Sequence, residues 1–300
     1  MSIRGSCFHG SAATEETRVT QPEYHAFSHE AMATTFTVFV GGVPAEYARQ
    51  AAAAAFRELD RLEEELSRYV ESSDIARANR LAEGHSLVLG DDALRCLVLA
   101  SRVSAATDRA FDPAYASLPP GKPFTDQPLY ALDPERHELT SLTPRLHLDL
   151  GAVGKGYALD CMAEVMRDWT LTEVCLQSGG STALALAPPS GTPGWTVGVG
   201  DDAAYRTLAL RHRALSGSGL AVKGAHLIDV RRGQPARRQH RTWALAGDAA
   251  TSDALSTAFF VMTDAAVERF CQQHPDVGAF IATPDGSLLT FGATDAPASN

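Results

Sequence analysis

Two hydrophobic periods alternate along the chain. In "TTFTVFVGG", Phe36, Val38 and Val40 fall on every second residue before Gly41-Gly42, which predicts a strand ended by a turn. From Pro44 to Leu66 the period becomes helical: Tyr47, Ala51, Ala55, Leu59, Leu62 and Leu66 make one apolar stripe, with Arg57, Glu58, Arg61 and Glu64 mostly outside it. "SSDIARANRLAEG" reads as a short capped helix, and Asp91 to Asp108 as a longer one carrying Leu94, Leu97 and Val98. The four prolines between Pro119 and Pro128 then predict a surface loop.

Beyond that loop come short alternating runs at 137–142, 145–150, 173–178, 182–187, 195–199, 205–210 and 242–246. Turn residues rather than full-length helices separate them, so most neighbours should pair antiparallel. Two helices follow around 250–263 and 264–273. "VGAFIATPDGSLLTFG" then predicts a hairpin turning at Pro284-Asp285-Gly286. The pattern favours an α+β fold, with mixed, mostly antiparallel sheets packed with helices, over a doubly wound one. Residues 1–23, rich in Ser, Thr and Glu without periodicity, are expected to be disordered, and 293–300 to be frayed. One domain over 24–292 remains.

Composition narrows the function. A 300-residue chain with 45% hydrophobic and 21% charged residues is of the ordinary globular kind. Its net charge of −10 argues against non-specific binding to nucleic acid or anionic membranes, and means that any phosphate ligand needs a local cation. No apolar run approaches the ~20 residues of a membrane span, and the N-terminus has no apolar signal region, so a cytoplasmic protein without a transmembrane segment is expected. Cys7, Cys96, Cys161, Cys175 and Cys271 are odd in number and lack CxxC spacing, which argues against a disulfide framework and against a zinc site.

Four stretches carry candidate chemistry. "HLDLGAVGKGYALD" (147–160) follows alternating Leu146, Leu148 and Leu150 with a glycine-rich turn and a helical pattern from Tyr157 to Trp169. Strand, turn and helix N-terminus suit an anion, although the order matches neither a P-loop nor a dinucleotide fingerprint, and a purely structural turn is the alternative. In "GDAATSDALSTAFFVM", Asp253 and Thr257 stand four apart on a helix and offer hard oxygens to a small divalent cation. Alternatively Asp248 or Ser252 caps the helix and Thr257 is a buried hydroxyl. "HLIDVRRG" sets His226 and Asp229 beside Arg231 and Arg232, either as a site or as a strand entering a turn. Tyr69 in "LSRYVESSDIARAN" is a core-edge aromatic or a stacking surface.

In this order the pieces resemble the ApbE family of Mg-dependent FAD:protein FMN transferases. "MATTFTVFV" resembles the family's Met-Gly-Thr-Thr opening, "LSRYVESSDIARAN" its Ser-x-Tyr-x-x-x-Ser-x-Ile segment, and "AFDPAYASL" its Phe-Asp segment. "LDLGAVGKGYALD" is similar to the Asp-Leu-Gly-Ala-x-x-Lys-Gly core, "LQSGGSTALA" to the Gly-Gly turn, "HLIDVRRGQPA" to the His-Ile-Ile-Asp-Pro segment, and "SDALSTAFFV" to the Ala-Asp-Ala-Leu-Ser-Thr helix. The resemblance covers about 28–292.

It implies transfer of FMN from FAD to a Thr or Ser hydroxyl of an acceptor protein, releasing AMP. Mg²⁺ would be held by the Ala152 carbonyl, Asp253 and Thr257. Met32, Tyr69, Ala110, Phe111, Asp112, Asp149, Lys155 and Leu227 would contact FAD, and His226 or Asp253 would take the acceptor's proton. This sequence departs from the family at Ser181, where an acidic or amide residue is usual, at Val230 in place of Pro, in the short "GLAVKGA" before "HLID", and in lacking a lipoprotein signal. An FAD pyrophosphatase giving free FMN and AMP, and a non-catalytic FAD-binding member, are the alternatives.

Overall fold

The segments Val174–Ser178, Thr182–Ala185, Thr242–Ala246 and Gly278–Ala282 are buried at every position, so the sheet that they build is covered on both faces. In the computed structural model, which describes residues 24–118, 127–200, 205–219, 228–229, 234–235 and 241–294, these segments are β6, β7, β13 and β14. They join β1 (Tyr24–Ala31), β2 (Thr34–Gly41), β10 (Arg213–Ser218) and β15 (Leu288–Gly292) in one eight-stranded sheet, ordered β1-β2-β6-β7-β10-β13-β14-β15. Each neighbouring pair is antiparallel.

Alternate residues serve two cores. Phe36, Val38, Leu176, Leu184, Ala214, Ala244 and Ile281 face the helices α1 (Ala45–Leu66), α3 (Asp91–Ala106), α4 (Gly154–Asp168), α5 (Ala249–Val261) and α6 (Asp264–Gln273). Cys175, Ala183, Leu215, Trp243 and Phe280 face the other way, against Trp195, Val197 and Leu208 of the hairpin β8 (Trp195–Val199) and β9 (Arg206–Leu210). A three-stranded sheet of β3 (Ser86–Val88), β5 (Glu138–Ser141) and β4 (Tyr130–Asp133) lies apart from the main one. β11 (Ile228–Asp229) pairs with β12 (Gln234–Pro235). This is the α+β architecture that the patterning predicts.

The short capped helix is α2 (Asp74–Ala78), with the Ser73 side chain accepting from the Ala76 N–H at 2.9 Å. The α1 stripe is buried as expected except at its start, where Tyr47 is 38% exposed and donates to the Trp169 carbonyl at 2.9 Å. β1 and β10 were not legible: β1 is only half-buried, and the inward residues of β10 are largely hydroxyls. Burial pushes the thiols of Cys161 and Cys175 up to about 12, so both stay protonated at neutral pH. Among the described residues, no helix is long and apolar enough to cross a membrane. The expected disordered start (1–23), most of the proline loop (119–126) and the chain end (295–300) lie outside those residues.

The run 145–150 requires a correction. Leu146, Leu148 and Leu150 are buried as their alternation predicts, but the segment belongs to no sheet. Side chains and one loop carbonyl occupy the backbone groups that a neighbouring strand would use. The Leu148 N–H donates to Asn79 Oδ1 (2.6 Å), and Asn79 Nδ2 donates to the Leu148 carbonyl (2.9 Å). The His147 N–H donates to Ser117 Oγ at 2.8 Å, and the Asp149 N–H to the Pro113 carbonyl at 2.8 Å. Hydrophobic period reports which side chains are buried, not what the backbone pairs with. Asn79→Ala should therefore cost about 1–3 kcal/mol by leaving both Leu148 groups without partners. Urea denaturation measures it, and a loss below about 0.5 kcal/mol would mean that the leucines alone hold the segment.

Candidate active site

The helix-facing side of the sheet is divided. Leu176, Leu184, Ala214 and Ala244 make its apolar part, and two residues along each strand the side chains become Ser178, Thr182, Ser216 or Ser218, and Thr242. Cross-strand register lines them up: Ser178 opposite Thr182, Thr182 opposite Ser216, Ser218 opposite Thr242. Over this hydroxyl surface lies α5, buried on nearly every side.

Two carboxylates hold the start of α5. Asp248, the N-cap, accepts from the Thr251 N–H at 2.7 Å, while Asp160 of α4 accepts from the Ala249 N–H (2.8 Å) and the Ala250 N–H (2.9 Å). These are helix-end donors that would otherwise lack partners. Burial pushes the Asp160 carboxyl up to about 7; its backbone bonds pull the other way, and the negative charges of Asp248 and Asp253 push with the burial.

One turn further on, Asp253 is 4% exposed and has a partner on each oxygen. Oδ2 accepts from the Gly156 N–H at 3.0 Å, and Oδ1 from Thr182 Oγ1 at 2.7 Å. Ser218 Oγ lies 2.9 Å from Ser256 Oγ and 3.2 Å from Thr257 Oγ1. Gly156 is where α4 meets α5: a Cβ there would lie 2.2 Å from the Ala249 carbonyl oxygen. The third glycine of the turn thus serves contact between helices. Beside it Lys155 Nζ donates to the Gly151 carbonyl at 2.8 Å and stands 4.0 Å from Asp253 Oδ2. Ala152 lies between Gly151 and Lys155, at the entry to α4. One carboxylate, one hydroxyl and a nearby main-chain turn form a hard-oxygen donor set that fits a small divalent cation. Among the described residues, no three or more His, Cys, Asp or Glu side chains cluster as metal ligands.

The turn also connects outward. Asp149 Oδ1 accepts from the Gly151 N–H at 2.8 Å, and Oδ2 lies 3.3 Å from the Tyr115 hydroxyl and 3.5 Å from Arg68 Nη1. Arg68 also reaches His147 Nε2 at 3.2 Å, donates to the Tyr69 hydroxyl at 2.5 Å, and lies over the Tyr69 ring, 4.7 Å from its centroid. Tyr69 is 79% exposed and so a surface platform rather than core. Tyr69, Arg68, Asp149, Gly151, Lys155 and Asp253 therefore form one unbroken line of contacts.

The remaining site candidates divide. Ala110 and Phe111 have their side chains in the core, and the Ala110 N–H donates to the Thr107 carbonyl at 3.0 Å. Asp112 accepts from the Ala114 N–H at 2.8 Å, burial raises its carboxyl, and it borders a 290 Å³ cavity shared with Arg109 and Tyr130. Met32 sits in the β1–β2 turn; β2 begins at Thr34 beside Gly179, whose N–H donates to the Thr35 carbonyl at 2.7 Å, at the same end of the sheet as Thr182. His226 and Leu227 lie outside the described residues.

The sequence model of the ApbE family matches residues 32–281. The chain belongs to the ApbE family. Among its curated relatives are the FAD:protein FMN transferases of Salmonella typhimurium, 23% identical over 262 residues (75% of each chain), and of Rhodobacter capsulatus, 24% identical over 288 residues (85% of this chain, 55% of that one). Its fold matches the flavin transferase ApbE from Vibrio cholerae with a TM-score of 0.78 at 18% identity, covering 91% of this chain and 98% of that one. It matches the apo form of the Pseudomonas stutzeri flavinyl transferase ApbE with a TM-score of 0.77 at 21% identity, covering 93% and 100%.

Of the residues brought together here, Arg68, Thr182 and Asp160 escape sequence reasoning. Each acts on a residue remote in the chain, and the available signal was only its place within a motif: Arg68 in "LSRYVESSDIARAN", Thr182 in "LQSGGSTALA", Asp160 at the end of "LDLGAVGKGYALD". Asp160 generates a pH prediction. Its folded pKa of about 7 lies above the ordinary value of 3.8, so the folded protein binds this proton more tightly than the unfolded chain. The associated stability is complete below about pH 4 and is lost as pH rises to about 7. The stability advantage of wild type over Asp160→Asn should shrink across that window in denaturation at a series of pH values; a constant gap would contradict the assignment.

Proposed function

We propose that this chain is a Mg²⁺-dependent FAD:protein FMN transferase that moves FMN from FAD to a Thr or Ser hydroxyl of an acceptor protein and releases AMP. The observation that carries the reading is the unbroken line from Tyr69 to Asp253: an aromatic platform at one end, an oxygen-lined cation position at the other, and Lys155 on a helix-entry turn between them. A flavin dinucleotide has that distribution of chemistry, with a flat ring, a polyol and a pyrophosphate. Family membership and the names of the curated relatives support the same substrate.

In this reading the exposed Tyr69 ring takes the isoalloxazine, and the backbone at Ala110, Phe111 and Asp112, with Met32 and Leu227, surrounds the flavin. Asp149 contacts the dinucleotide from the turn. Lys155 leaves the Gly151 carbonyl for a phosphate oxygen, a short movement for a flexible ammonium. Asp253, Thr257 and the Ala152 carbonyl would hold a divalent cation, which would supply charge neutralisation at the phosphoryl group under attack. Asp253 or His226 receives the proton that the acceptor hydroxyl loses. The hydroxyl oxygen bonds to the FMN-side phosphorus, and AMP leaves with the electron pair of the broken P–O bond.

Incubation with FAD, Mg²⁺ and a Thr-containing acceptor protein tests the reading. Covalent flavin on the acceptor is expected; free FMN with AMP would make the chain a pyrophosphatase, and bound but unchanged FAD a non-catalytic binder. Asp253→Ala should abolish divalent-dependent turnover, whereas Glu268→Ala, exposed on α6, should not. Lys155→Met should weaken FAD binding by about tenfold or more, for loss of a charge-assisted contact of roughly 1.5–3 kcal/mol, and leave riboflavin binding nearly unchanged. Fluorescence quenching with both ligands checks this, and equal losses would mean that Lys155 shapes the pocket without reading the phosphate.

A further inference from the structure

We infer that Thr182 is a positioning residue for the Asp253 carboxylate, fixing the direction in which Asp253 offers its free lone pairs to a cation; this rests on the cation reading given above. A carboxylate that is 4% exposed needs donors to replace water, and here it has two, from different elements. The Gly156 N–H of α4 takes one oxygen at 3.0 Å and Thr182 Oγ1 of β7 takes the other at 2.7 Å. Two bonds to opposite oxygens, one from a helix and one from the sheet, define the plane of the carboxylate. Each oxygen can accept more than one bond, so a cation can still be bound.

The neighbourhood points to Thr182 in particular. Among the three hydroxyls in register across β6, β7 and β10, Ser178 Oγ and Ser216 Oγ have no hydrogen-bond partner among the described residues, while Thr182 Oγ1, between them, has Asp253. Thr182 is 1% exposed, and its β-branched side chain restricts the rotamer that aims the hydroxyl. Ser181 turns back to the Ser178 carbonyl at 3.1 Å and does not reach Asp253. Lys155 stands 4.0 Å away, with its short bond spent on Gly151. No other side-chain hydroxyl of the described residues hydrogen-bonds this carboxylate.

The experiment measures Mn²⁺ binding by electron paramagnetic resonance on the full chain, with thermal midpoints as a control, for wild type, Thr182→Val, Thr182→Ser and Asp253→Ala. Losing a hydrogen bond to a metal-binding carboxylate commonly weakens the metal by 10–100-fold, so Thr182→Val should bind Mn²⁺ at least about tenfold more weakly. Thr182→Ser, which keeps the hydroxyl, should restore binding to within about threefold of wild type, and Asp253→Ala should lose it. If Asp253→Ala loses Mn²⁺ but Thr182→Val does not, or if serine is as weak as valine, the role of Thr182 is overturned and the cation site stands. If Asp253→Ala binds as wild type does, the cation reading itself fails and takes the inference with it. Thr182→Ala carries the same expectation as valine where valine does not fold.

Discussion

The closeness of α4 and α5 at Gly156 is the constraint on which the rest of the site depends. With no side chain between them, the α4 backbone comes near enough for the Gly156 N–H to reach Asp253, and the same approach brings Asp160 to the first amides of α5. A single methyl group would need space already held by the Ala249 carbonyl. Relief by separation of the helices would withdraw Lys155, Gly156 and Asp160 from their partners together, because all three are on the first turns of one rigid rod. Helix packing and site geometry are here one property.

The second organising feature is the division of the sheet beneath α5 into an apolar half and a hydroxyl half. For an acidic chain proposed to act on a pyrophosphate the electrostatics are demanding, because carboxylates that would bind a cation would also repel such a substrate. The hydroxyl half of the sheet adds neutral oxygens beside the carboxylates. Asp253 accepts from Thr182, Ser218 meets Ser256 and Thr257 on the same helix, and the cations Arg68 and Lys155 stand along the turn.

Much of this was legible in the sequence, for identifiable reasons. Long amphipathic stretches such as 44–66 and 91–108 signal helices because burial selects one face, and the turn residues after each short apolar run signal antiparallel pairing. The 145–150 run misled because alternation is a statement about leucines, whereas pairing is a statement about amides, and these amides go to Asn79, Ser117 and Pro113. β10 was hidden because its inward positions are Ala, Ser and Ser. At the site, motif order singled out Asp253, Thr257, Lys155 and Tyr69. Arg68, Thr182 and Asp160 are ordinary surface-type residues by composition, and only the third dimension gives each its partner.

The β1–β2 turn has a consequence of another kind. Met32 and Ala33 both adopt left-handed backbone, with φ of 49° and 58°, and neither is glycine. Such a conformation costs an L-residue roughly 1–2 kcal/mol, so the turn does not choose its own shape. The shape is imposed by the two flanking strands, paired without a break from Tyr24–Gly41 to Ala31–Thr34. The location of the Met32 side chain at the sheet end is therefore information stored along the whole ribbon. Fraying the far end of that ribbon, near Tyr24 and Trp195, would loosen the grip on Met32 without touching a single residue beside it.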